Sequence, residues 1–425
     1  MNPYPKSPCI PGAFDIAVTT QLSPRRTFIA LFVLALGGFG IGCTEFASMG
    51  LLPQIAQELV PGFAQHPETS IAEAGHLISA YALGVVVGAP TLAALTARAS
   101  HTKLTIWLLV FFVLGTVASA ATPDFGSTLV ARFVAGLPHG AYFGVASLMA
   151  ARIMGPGKQG QGIALALSGL TVANIIGVPA VTFIGHALGW RAAYLVVAGI
   201  FLLTLIGAIL FLPRYPGDPS RHPAKELRAF RSGQLWLMIA VACIGFGGFF
   251  AMYSYLSEMA TRLTGLGAAQ VPWLLAVVGV GMTIGNVVGG RLSDRAPRAA
   301  MVVGFASFMV SLALFALTAS HPVGLFAAAG LVGATSSILT PAIQSRLIAA
   351  SGEAALIGAA TNHAAFNVGN AIGAALGGTV IAAGYGYLAP SWVGLVLAAG
   401  GLILLLISLG WERRTGTLVP RPAAA

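Results

Sequence analysis

The stretch from Leu31 to Pro53, LFVLALGGFGIGCTEFASMGLLP, decides the fold of this chain. It is long enough to cross a bilayer, because about 20 apolar residues rising 1.5 Å each match a hydrocarbon core of roughly 30 Å. Near its far end it carries Glu45. A charge at the centre of a membrane helix costs about 2.5–3.5 kcal/mol to insert, so such residues usually face a protein interior and take part in function. Arg132 is the other charged residue that we place well inside a membrane segment, and we interpret the two as a functional pair.

The composition of the whole chain is typical of a membrane protein. Of its 425 residues, 57% are hydrophobic and 8% are charged. The mean hydropathy is +0.86. These values predict an all-α polytopic membrane protein rather than a soluble domain with an anchor. We expect Cys9, in an N-terminal tail, and Cys43 and Cys243, in membrane segments, to form no disulfide.

Apolar windows separated by clusters of Gly, Pro and charged residues predict twelve membrane spans in two groups of six. The first six are expected near 28–52, 73–96, 104–122, 126–152, 161–187 and 191–212. The second six are expected near 235–262, 270–292, 299–319, 322–349, 354–383 and 389–410. The predicted organisation is a tail over 1–27, a bundle over 28–213, a central loop over 214–234, a bundle over 235–411 and a tail over 412–425.

The distribution of basic residues predicts the orientation of the spans. If both termini are cytoplasmic, all of the 22 Lys and Arg residues fall on the cytoplasmic side except Arg132, Arg191 and Arg262. The net charge of +10 then has a topological origin, and we expect no nucleic-acid partner. The predicted location is the cytoplasmic (inner) membrane.

The two groups of six spans resemble each other. Arg98 closes the second span as Asp294 and Arg295 close the eighth. Asn174-x-x-Gly177 in the fifth span recurs as Asn370-x-x-Gly373 in the eleventh. Two parallel six-helix repeats predict a substrate site at their interface near the middle of the membrane.

Several motifs resemble the major facilitator superfamily across essentially the whole chain. The loop after the eighth span, Gly290-x-Leu292-x-Asp294-Arg295-x-Pro297-Arg298, is similar to the cytoplasmic-loop signature of that family. The copy after the second span is degraded, because Ala97 stands where an aspartate is expected. The resemblance implies that the complete copy acts as a latch on the inner gate through Asp294, Arg295 and Arg298. Ordinary loop charge with a helix cap is the alternative.

Other motifs resemble the drug:proton antiporter branch of the family. Leu129-x-x-Arg132-x-x-x-Gly136-x-x-x-Gly140 is similar to its fourth-helix signature, and Gly177-x-Pro179 looks like a weakened antiporter motif with a gating role. The stretches at 44–46, 50–53, 76–84 and 136–140 look like those of arabinose or sugar efflux permeases, whose branch also holds nucleoside and chloramphenicol exporters. The resemblance implies export and says little about substrate.

Glu45, Arg132 and His139 are the predicted proton-coupling residues. Counting residues from the span ends places Glu45 roughly 10 Å and Arg132 roughly 9 Å below the same membrane surface. Burial and a nearby guanidinium have opposed effects on proton binding by a carboxylate, which an exchanger can use. His139 lies two helical turns deeper than Arg132 and could relay a proton. A permanent buried ion pair, and a histidine bonded to a neighbouring carbonyl, are the alternatives.

The resemblance makes the first, fourth, seventh and tenth spans the lining of the substrate cavity. The repeat aligns Tyr253, within an aromatic cluster of the seventh span, with Glu45. Aromatic walls with few polar groups suit amphipathic small molecules, although aromatic residues at helical spacing more often pack a core. The predicted cavity residues are Thr44, Met49, Tyr142, Phe249, Phe250, Tyr253, Ser336, Ser337 and Gln344.

His363, Asn367 and Asn370 form a polar stripe on the eleventh span. Such stripes commonly hold membrane helices together through hydrogen bonds, and we favour that function here. A cavity wall that rearranges during transport is the alternative.

The predicted function is secondary active export of a small amphipathic molecule, a drug-like compound, sugar or nucleoside-type metabolite, by proton antiport with alternating access. A facilitative exporter and a transport-dead sensor of the same fold are the alternatives. An enzyme is not expected, since the chain has neither a His-Glu-x-x-His motif nor a phosphate-binding glycine loop. We expect no catalytic residues, cofactor or metal. The predicted partners are the substrate, protons and lipid, with a monomeric protein.

Overall fold

The structure, a computed structural model, describes residues 22–65, 70, 73–217, 223–267 and 270–415. Twelve helices in this part are long and apolar enough to cross a membrane, which confirms the predicted all-α fold with twelve spans. In order, the spans are Pro24–Phe46, His76–Leu95, His101–Ala121, Phe125–Met154, Gln159–Leu188, Trp190–Phe211, Gly233–Leu263, Val271–Arg295, Pro297–Thr318, Pro322–Ala350, Ala355–Ile381 and Ala389–Arg414. Cys9, most of the predicted N-terminal tail and residues 416–425 lie outside the described residues.

The helix that holds Glu45 runs over Pro24–Gly50. It begins where Ser23 accepts a hydrogen bond from the backbone N–H of Arg26, with Pro24 in the first turn, where the missing proline N–H costs nothing. A second, short helix follows at Leu52–Leu59 and buries Ile55, Ala56 and Leu59. The first span therefore ends in a helix that lies against the bundle.

Three further features interrupt or extend the spans. The fifth span consists of an α-helix at Gln159–Val172, a π-helix at Ala173–Gly177 and an α-helix at Val178–Leu188. The seventh span consists of helices at Gly233–Tyr253 and Leu256–Leu263. The connection between the two groups of spans carries a short α-helix at Pro223–Leu227 and a 3₁₀ turn at Arg228–Arg231.

The two groups of six spans, called here the first and second halves, repeat the same packing. In the first half, a Cβ added at Gly177 would come within 2.6 Å of Cys43 Sγ, so the fifth span lies directly on the first. In the second half, a Cβ at Gly373 would come within 2.2 Å of Gly247 O, so the eleventh span lies directly on the seventh. These glycines permit the close helix contact that membrane bundles require.

The two halves meet on the side of the membrane where the first span begins and the twelfth ends, which we call the basic side. The hydrophobic core of the first half includes residues of the second half from the basic ends of the tenth and eleventh spans: Ile348, Ala354, Ala355, Leu356, Ile357, Ala359, Ala360 and Ala364. Along the fifth and eighth spans the contact starts where Gly279 lies against Ile175 and continues to Gly290 against Gly160. We call the contact region on the basic side, made by residues 139–165, 286–298 and 341–364, the gate. In this structure the gate is closed.

Candidate functional site

Arg132 lies in the fourth span, whose helix runs over Phe125–Met154, and is 1% exposed. Its guanidinium donates hydrogen bonds to Thr44 Oγ1 at 3.1 Å and to the backbone oxygen of Thr44 at 3.2 Å. The guanidinium carbon also lies 4.4 Å from the ring centre of Tyr81 and 5.4 Å from that of Tyr194. Aromatic faces attract cations strongly where water is excluded, so these contacts hold the charge in place within the membrane.

Glu45 follows Thr44 directly in the chain and lines a cavity between the halves. Among the described residues it forms no ion pair, so the permanent ion pair with Arg132 that we considered as the alternative is absent. The guanidinium of Arg132 instead donates its hydrogen bonds to Thr44, whose hydroxyl and carbonyl oxygens both accept them. Arg132 is therefore bound to the residue before Glu45 rather than to Glu45 itself.

Tyr81 links Arg132 to His139. Its ring lies beneath the guanidinium, and its hydroxyl shares a 3.1 Å hydrogen bond with Nδ1 of His139. Tyr81 belongs to the second span and lies within the stretch at 76–84 that resembled efflux permeases, but sequence reasoning did not identify its role. Tyr194, which accepts or donates a 2.9 Å bond with Ser48 and faces Arg132, was missed as well.

The cavity between the halves is small and largely apolar, with a volume of about 70 Å³. Sites for drug-sized ligands occupy roughly 300–1,000 Å³, so a substrate of that size needs a wider cavity than this closed-gate conformation provides. Five phenylalanines contribute to the walls: Phe46, Phe246, Phe249, Phe250 and Phe366. The polar lining consists of Glu45, His139, Thr171, Asn286, Ser337, Thr340, His363, Asn367 and Asn370.

Of the cavity residues proposed from sequence, Phe249, Phe250 and Ser337 line this cavity. Tyr253 stacks on Phe249 with ring centres 5.0 Å apart, and so lies behind the wall. Thr44 is bound to Arg132 as described above. The side chain of Met49 lies outside the described part of the structure.

Tyr142, Ser336 and Gln344 do not belong to the cavity lining of the described residues. Tyr142 is buried in the first half, where its hydroxyl donates a 2.9 Å hydrogen bond to the carbonyl of Leu34. Ser336 bonds its own helix at Gly333. Gln344 belongs to the gate, because its amide donates to Ser147 Oγ at 3.3 Å and to the carbonyl of Ala359 at 3.0 Å. In this conformation these three side chains are therefore bound elsewhere than in the cavity lining.

The polar stripe of the eleventh span also differs from expectation. His363, Asn367 and Asn370 all line the cavity, and the amide of Asn367 bonds the carbonyl of His363 in its own helix. The stripe therefore forms part of the cavity wall that we considered as the alternative, while the ring of His363 also packs on Phe143 of the fourth span.

Asp294 connects the two halves at the gate. Its carboxylate accepts hydrogen bonds from the backbone N–H of Gly160 at 2.5 Å and of Gln161 at 3.0 Å, and from the side chain of Gln161 at 3.1 Å. These N–H groups are the unpaired donors at the start of the fifth span, where a negative charge is favourable. A Cβ at Gly160 would come within 2.8 Å of Gly290 O, so only glycine allows this approach.

The other predicted gating residues make different contacts. Arg298 pairs with Glu412 at 2.8 Å, and Arg346 pairs with the same carboxylate at 2.7 Å, so these contacts remain within the second half. Arg295 is exposed. Gly177 ends the π-helix of the fifth span, and Pro179, which has no N–H to donate to the preceding turn, follows it. Single π-turns often mark functional sites in helices.

Among the described residues, no group of three or more His, Cys, Asp or Glu side chains could hold a metal ion. The absence of a metal or cofactor remains a prediction from the sequence.

Comparison with known proteins identifies the family. The family model of the Major Facilitator Superfamily matches residues 34–267 and again residues 257–425. The chain belongs to the major facilitator superfamily. It is therefore a member of a transporter family and not of an enzyme family.

Three relatives match nearly their whole length. The chain is 36% identical to the inner membrane transport protein YdhP of Escherichia coli O157:H7, covering 91% of this chain and 97% of YdhP. It is 33% identical to the transporter AraJ of Escherichia coli K12, covering 91% and 96%. It is 30% identical to a chloramphenicol resistance protein of Streptomyces lividans, covering 93% and 99%.

Solved structures support the same fold. The fucose:proton symporter FucP of E. coli matches with a TM-score of 0.70 and 20% identity, covering 90% of this chain and 99% of FucP. The human organic anion transporter MFSD10 matches with a TM-score of 0.70 and 15% identity, covering 91% of this chain and 100% of MFSD10.

Proposed function

We propose that this protein exports a small amphipathic molecule from the cytoplasm in exchange for protons, by alternating access. The observation that carries the proposal is the placement of Glu45. It lines the cavity between the halves and, among the described residues, has no ion-pair partner, while Arg132 is bound to the residue before it. A carboxylate in that position can exchange a proton with whichever side of the membrane the cavity faces.

The contact between Arg132 and Thr44 gives a way to couple proton binding to conformation. The guanidinium is fixed to the first span one residue away from Glu45. A small shift of the fourth span against the first changes the distance between guanidinium and carboxylate, and with it the stability of the ionised carboxylate. We propose that Glu45 binds a proton when the cavity faces outward and releases it when the cavity faces the cytoplasm. His139, reached from Arg132 through Tyr81, extends this coupling to the floor of the cavity.

The basic side of the structure is the cytoplasmic side in this proposal. All but three of the 22 basic residues are assigned to it, which is the charge bias that orients membrane proteins. Both termini are then cytoplasmic, and the closed gate makes this an outward-facing conformation. We assign the protein to the inner membrane, in agreement with the name of its relative YdhP.

The walls of the cavity support an amphipathic substrate. Five phenylalanine rings provide apolar surface, and a few amide and hydroxyl groups provide orientation. The relative named as a chloramphenicol resistance protein is consistent with export of a drug-like compound. We propose a drug-like compound or an amphipathic metabolite as the substrate, with sugars and nucleosides as the other classes to be screened.

The gate contact of Asp294 fits the role of a latch on the cytoplasmic side. Its carboxylate closes the gate by capping a helix of the opposite half rather than by pairing with a basic side chain. Opening toward the cytoplasm requires these hydrogen bonds to break. The latch thus stabilises the outward-facing conformation, and we propose no comparable role for the exposed Arg295.

The proposal is tested by a substrate screen in inverted vesicles that carry an imposed proton gradient, acid inside. The expected result is accumulation of at least one amphipathic compound that collapses when the gradient is dissipated. Vesicles from cells with an empty vector serve as the control. Accumulation to equal concentrations on both sides, unchanged by the gradient, would contradict proton antiport and identify a facilitative exporter.

A further inference from the structure

Two histidines from opposite halves meet where the cavity ends and the gate begins. His139 lies on the fourth span and His363 on the eleventh, and their ring centres are 5.4 Å apart. Phe143 of the first half stacks on His363 with ring centres 4.0 Å apart and planes within 9°. The rings therefore form part of the contact that joins the halves, and they separate when the gate opens.

Both rings are buried and have a free nitrogen. His139 is 1% exposed and His363 is 5% exposed. In the described residues, Nε2 of each ring has no hydrogen-bond partner, although both side chains line the cavity. A buried polar atom without a partner is costly unless it serves a purpose, and a ring nitrogen facing a cavity is positioned to receive a proton.

The groups around the pair would not neutralise an added charge by contact. From the second span, Tyr81 bonds Nδ1 of His139, and from the first span, Glu45 lines the same cavity. Arg132 lies beyond the Tyr81 ring on the same helix as His139. The side chains that the seventh, eighth and tenth spans contribute to the cavity are neutral: Phe246, Phe249, Phe250, Met282, Asn286, Ser337 and Thr340.

We infer that His139 and His363 form a proton-operated trigger of the gate, in which protonation of the two rings opens the basic side. With both rings neutral, they pack together and the gate closes. With both protonated, two positive charges face each other across the halves at a separation of about 5 Å in a medium that screens them poorly, so the closed gate is destabilised. Opening separates the rings, hydrates them and allows the protons to leave on the basic side.

This inference rests on the proposed antiport and specifies one step of it. An antiporter must couple proton uptake from outside to the transition that opens its cytoplasmic side. In an outward-facing conformation the histidine pair faces the cavity, so it is protonated from outside and then opens the gate on the opposite side. The pair thus assigns a role to His363, which lies on the second half.

The test follows the gate by the distance between two spin labels on the basic side, one on each half. Lys103→Cys at the start of the third span and Ala299→Cys at the start of the ninth are both exposed positions. The native cysteines are replaced by alanine: Cys9, Cys43 and Cys243. Distances are measured by double electron–electron resonance on the full-length protein in nanodiscs between pH 8 and pH 5.

Acidification is expected to raise the open population of the otherwise native protein at least about tenfold, given the strength of close like charges at a buried site. His363→Phe keeps an aromatic ring for the stack on Phe143 but binds no proton, and it should respond clearly less than the native protein does, because only Glu45 and His139 then titrate in the cavity. His363→Lys carries a charge at neutral pH and should hold the gate open at pH 7. His186→Gln is the matched control, since His186 is exposed and bonds Gln54 far from the gate; it should respond as the native protein does.

A His363→Phe protein whose gate opens on acidification as far as that of the native protein would overturn the inference. Proton-driven export by a native protein with a pH-insensitive gate would also overturn it, while leaving antiport intact. A gate that responds to pH through His363, in a protein that shows no proton-driven export, would support the trigger and contradict the proposed function.

Discussion

The loops after the second and the eighth spans occupy equivalent places in the two halves but make different contacts. In the loop after the eighth span, Asp294 reaches across the gate and caps the fifth span of the other half. In the loop after the second span, Ala97 stands at the equivalent position and offers no carboxylate. The start of the eleventh span, which such a carboxylate would cap by analogy, has no side-chain cap.

The loop after the second span is instead bound to its own half. Ser100 donates a hydrogen bond to the carbonyl of Tyr215, and Thr102 donates a 2.6 Å bond to the carbonyl of Pro213. The backbone N–H of Tyr215 returns a 3.1 Å bond to Thr102, and Arg152 lies 4.4 Å from the Tyr215 ring centre. Burial raises the pKa of Tyr215 above its ordinary value. This loop therefore binds the segment that follows the sixth span and does not take part in the gate.

Because the two loops make different contacts, the two edges of the gate are held closed in different ways. One edge, between the fifth and eighth spans, is held by a charge on a helix N-terminus. The other edge, between the fourth span and the tenth and eleventh spans, is held by apolar packing around Ala360 and by the hydrogen bond from the amide of Gln344 to Ser147. The first edge should depend on charge, and the second should depend on shape.

The middle of the membrane shows a second asymmetry. The first half places Glu45 and Arg132 there, whereas the position that the repeat aligns with Glu45 in the second half is Tyr253, stacked behind the phenylalanine wall. In the proposed function, ion coupling therefore belongs to the first half and apolar substrate contact largely to the second, with the histidine pair joining them.

Replacement of Arg132 should reduce proton-driven export more than any of the changes that follow. Arg132→Ala removes two hydrogen bonds to Thr44 and the contacts with Tyr81 and Tyr194, and we expect proton-driven export to fall below detection. Arg132→Lys keeps the charge but lacks the planar guanidinium, so it should retain part of the activity. The measurement is gradient-driven uptake into inverted vesicles, normalised to the amount of monodisperse protein. Equal activity of the native and Arg132→Ala proteins would contradict proton coupling by the first half.

Asp294→Asn tests the charged edge of the gate. Loss of a charged cap from a helix N-terminus costs about 1–2 kcal/mol, so the closed gate should lose about five- to thirtyfold in relative population. Transport should fall accordingly, with expression and substrate binding retained. The spin-label distance on the basic side reports the shift directly.

Asp124 provides the matched control for that experiment. It caps the fourth span through a 2.9 Å bond from the Ser127 N–H, on the opposite side of the membrane from the gate. Hydrogen bonds from Ser127 hold the pKa of its carboxyl below its usual value. Asp124→Asn should leave the gate unchanged. If both variants shift the gate alike, the effect of Asp294 is general helix capping and not a latch.

Ala97→Asp tests whether the missing carboxylate explains the asymmetry. If the new side chain caps the eleventh span as Asp294 caps the fifth, it should stabilise the closed gate by about 0.3–1 kcal/mol, about two- to fivefold. Transport should slow by a similar factor, measured as initial uptake in vesicles. Unchanged transport and gate distance would show that the two loops are not interchangeable.

Thr102→Val should have the smallest effect. It removes the hydrogen bonds with Pro213 and Tyr215, worth about 1 kcal/mol each, and so lowers the thermal stability of the protein. Transport should stay within about twofold of native, because these contacts lie within one half. A larger loss of transport than that of Ala97→Asp would contradict the assignment of this loop to anchoring.

The twelve spans could be predicted from the sequence because apolar length and charge are local properties. Asp294 was identified from its motif, but its partner was not, since the backbone N–H groups of Gly160 and Gln161 carry no signal in the sequence. The sequence places Glu45 and Arg132 at similar depth, but depth in the membrane does not reveal that the guanidinium of Arg132 binds Thr44. Tyr81 and His363 were missed as partners of His139, since helix rotation and tilt depend on packing between spans.

The central claim is that Glu45 carries the exchanged proton, and Glu45→Gln tests it most directly. Glutamine keeps the size and hydrogen bonding of the side chain but removes its titration. Proteoliposomes with the variant are assayed for proton-driven uptake and, without a gradient, for exchange of labelled against unlabelled substrate. The account predicts that exchange persists and that the proton gradient no longer drives uptake. Proton-driven uptake at the native rate by Glu45→Gln would contradict it.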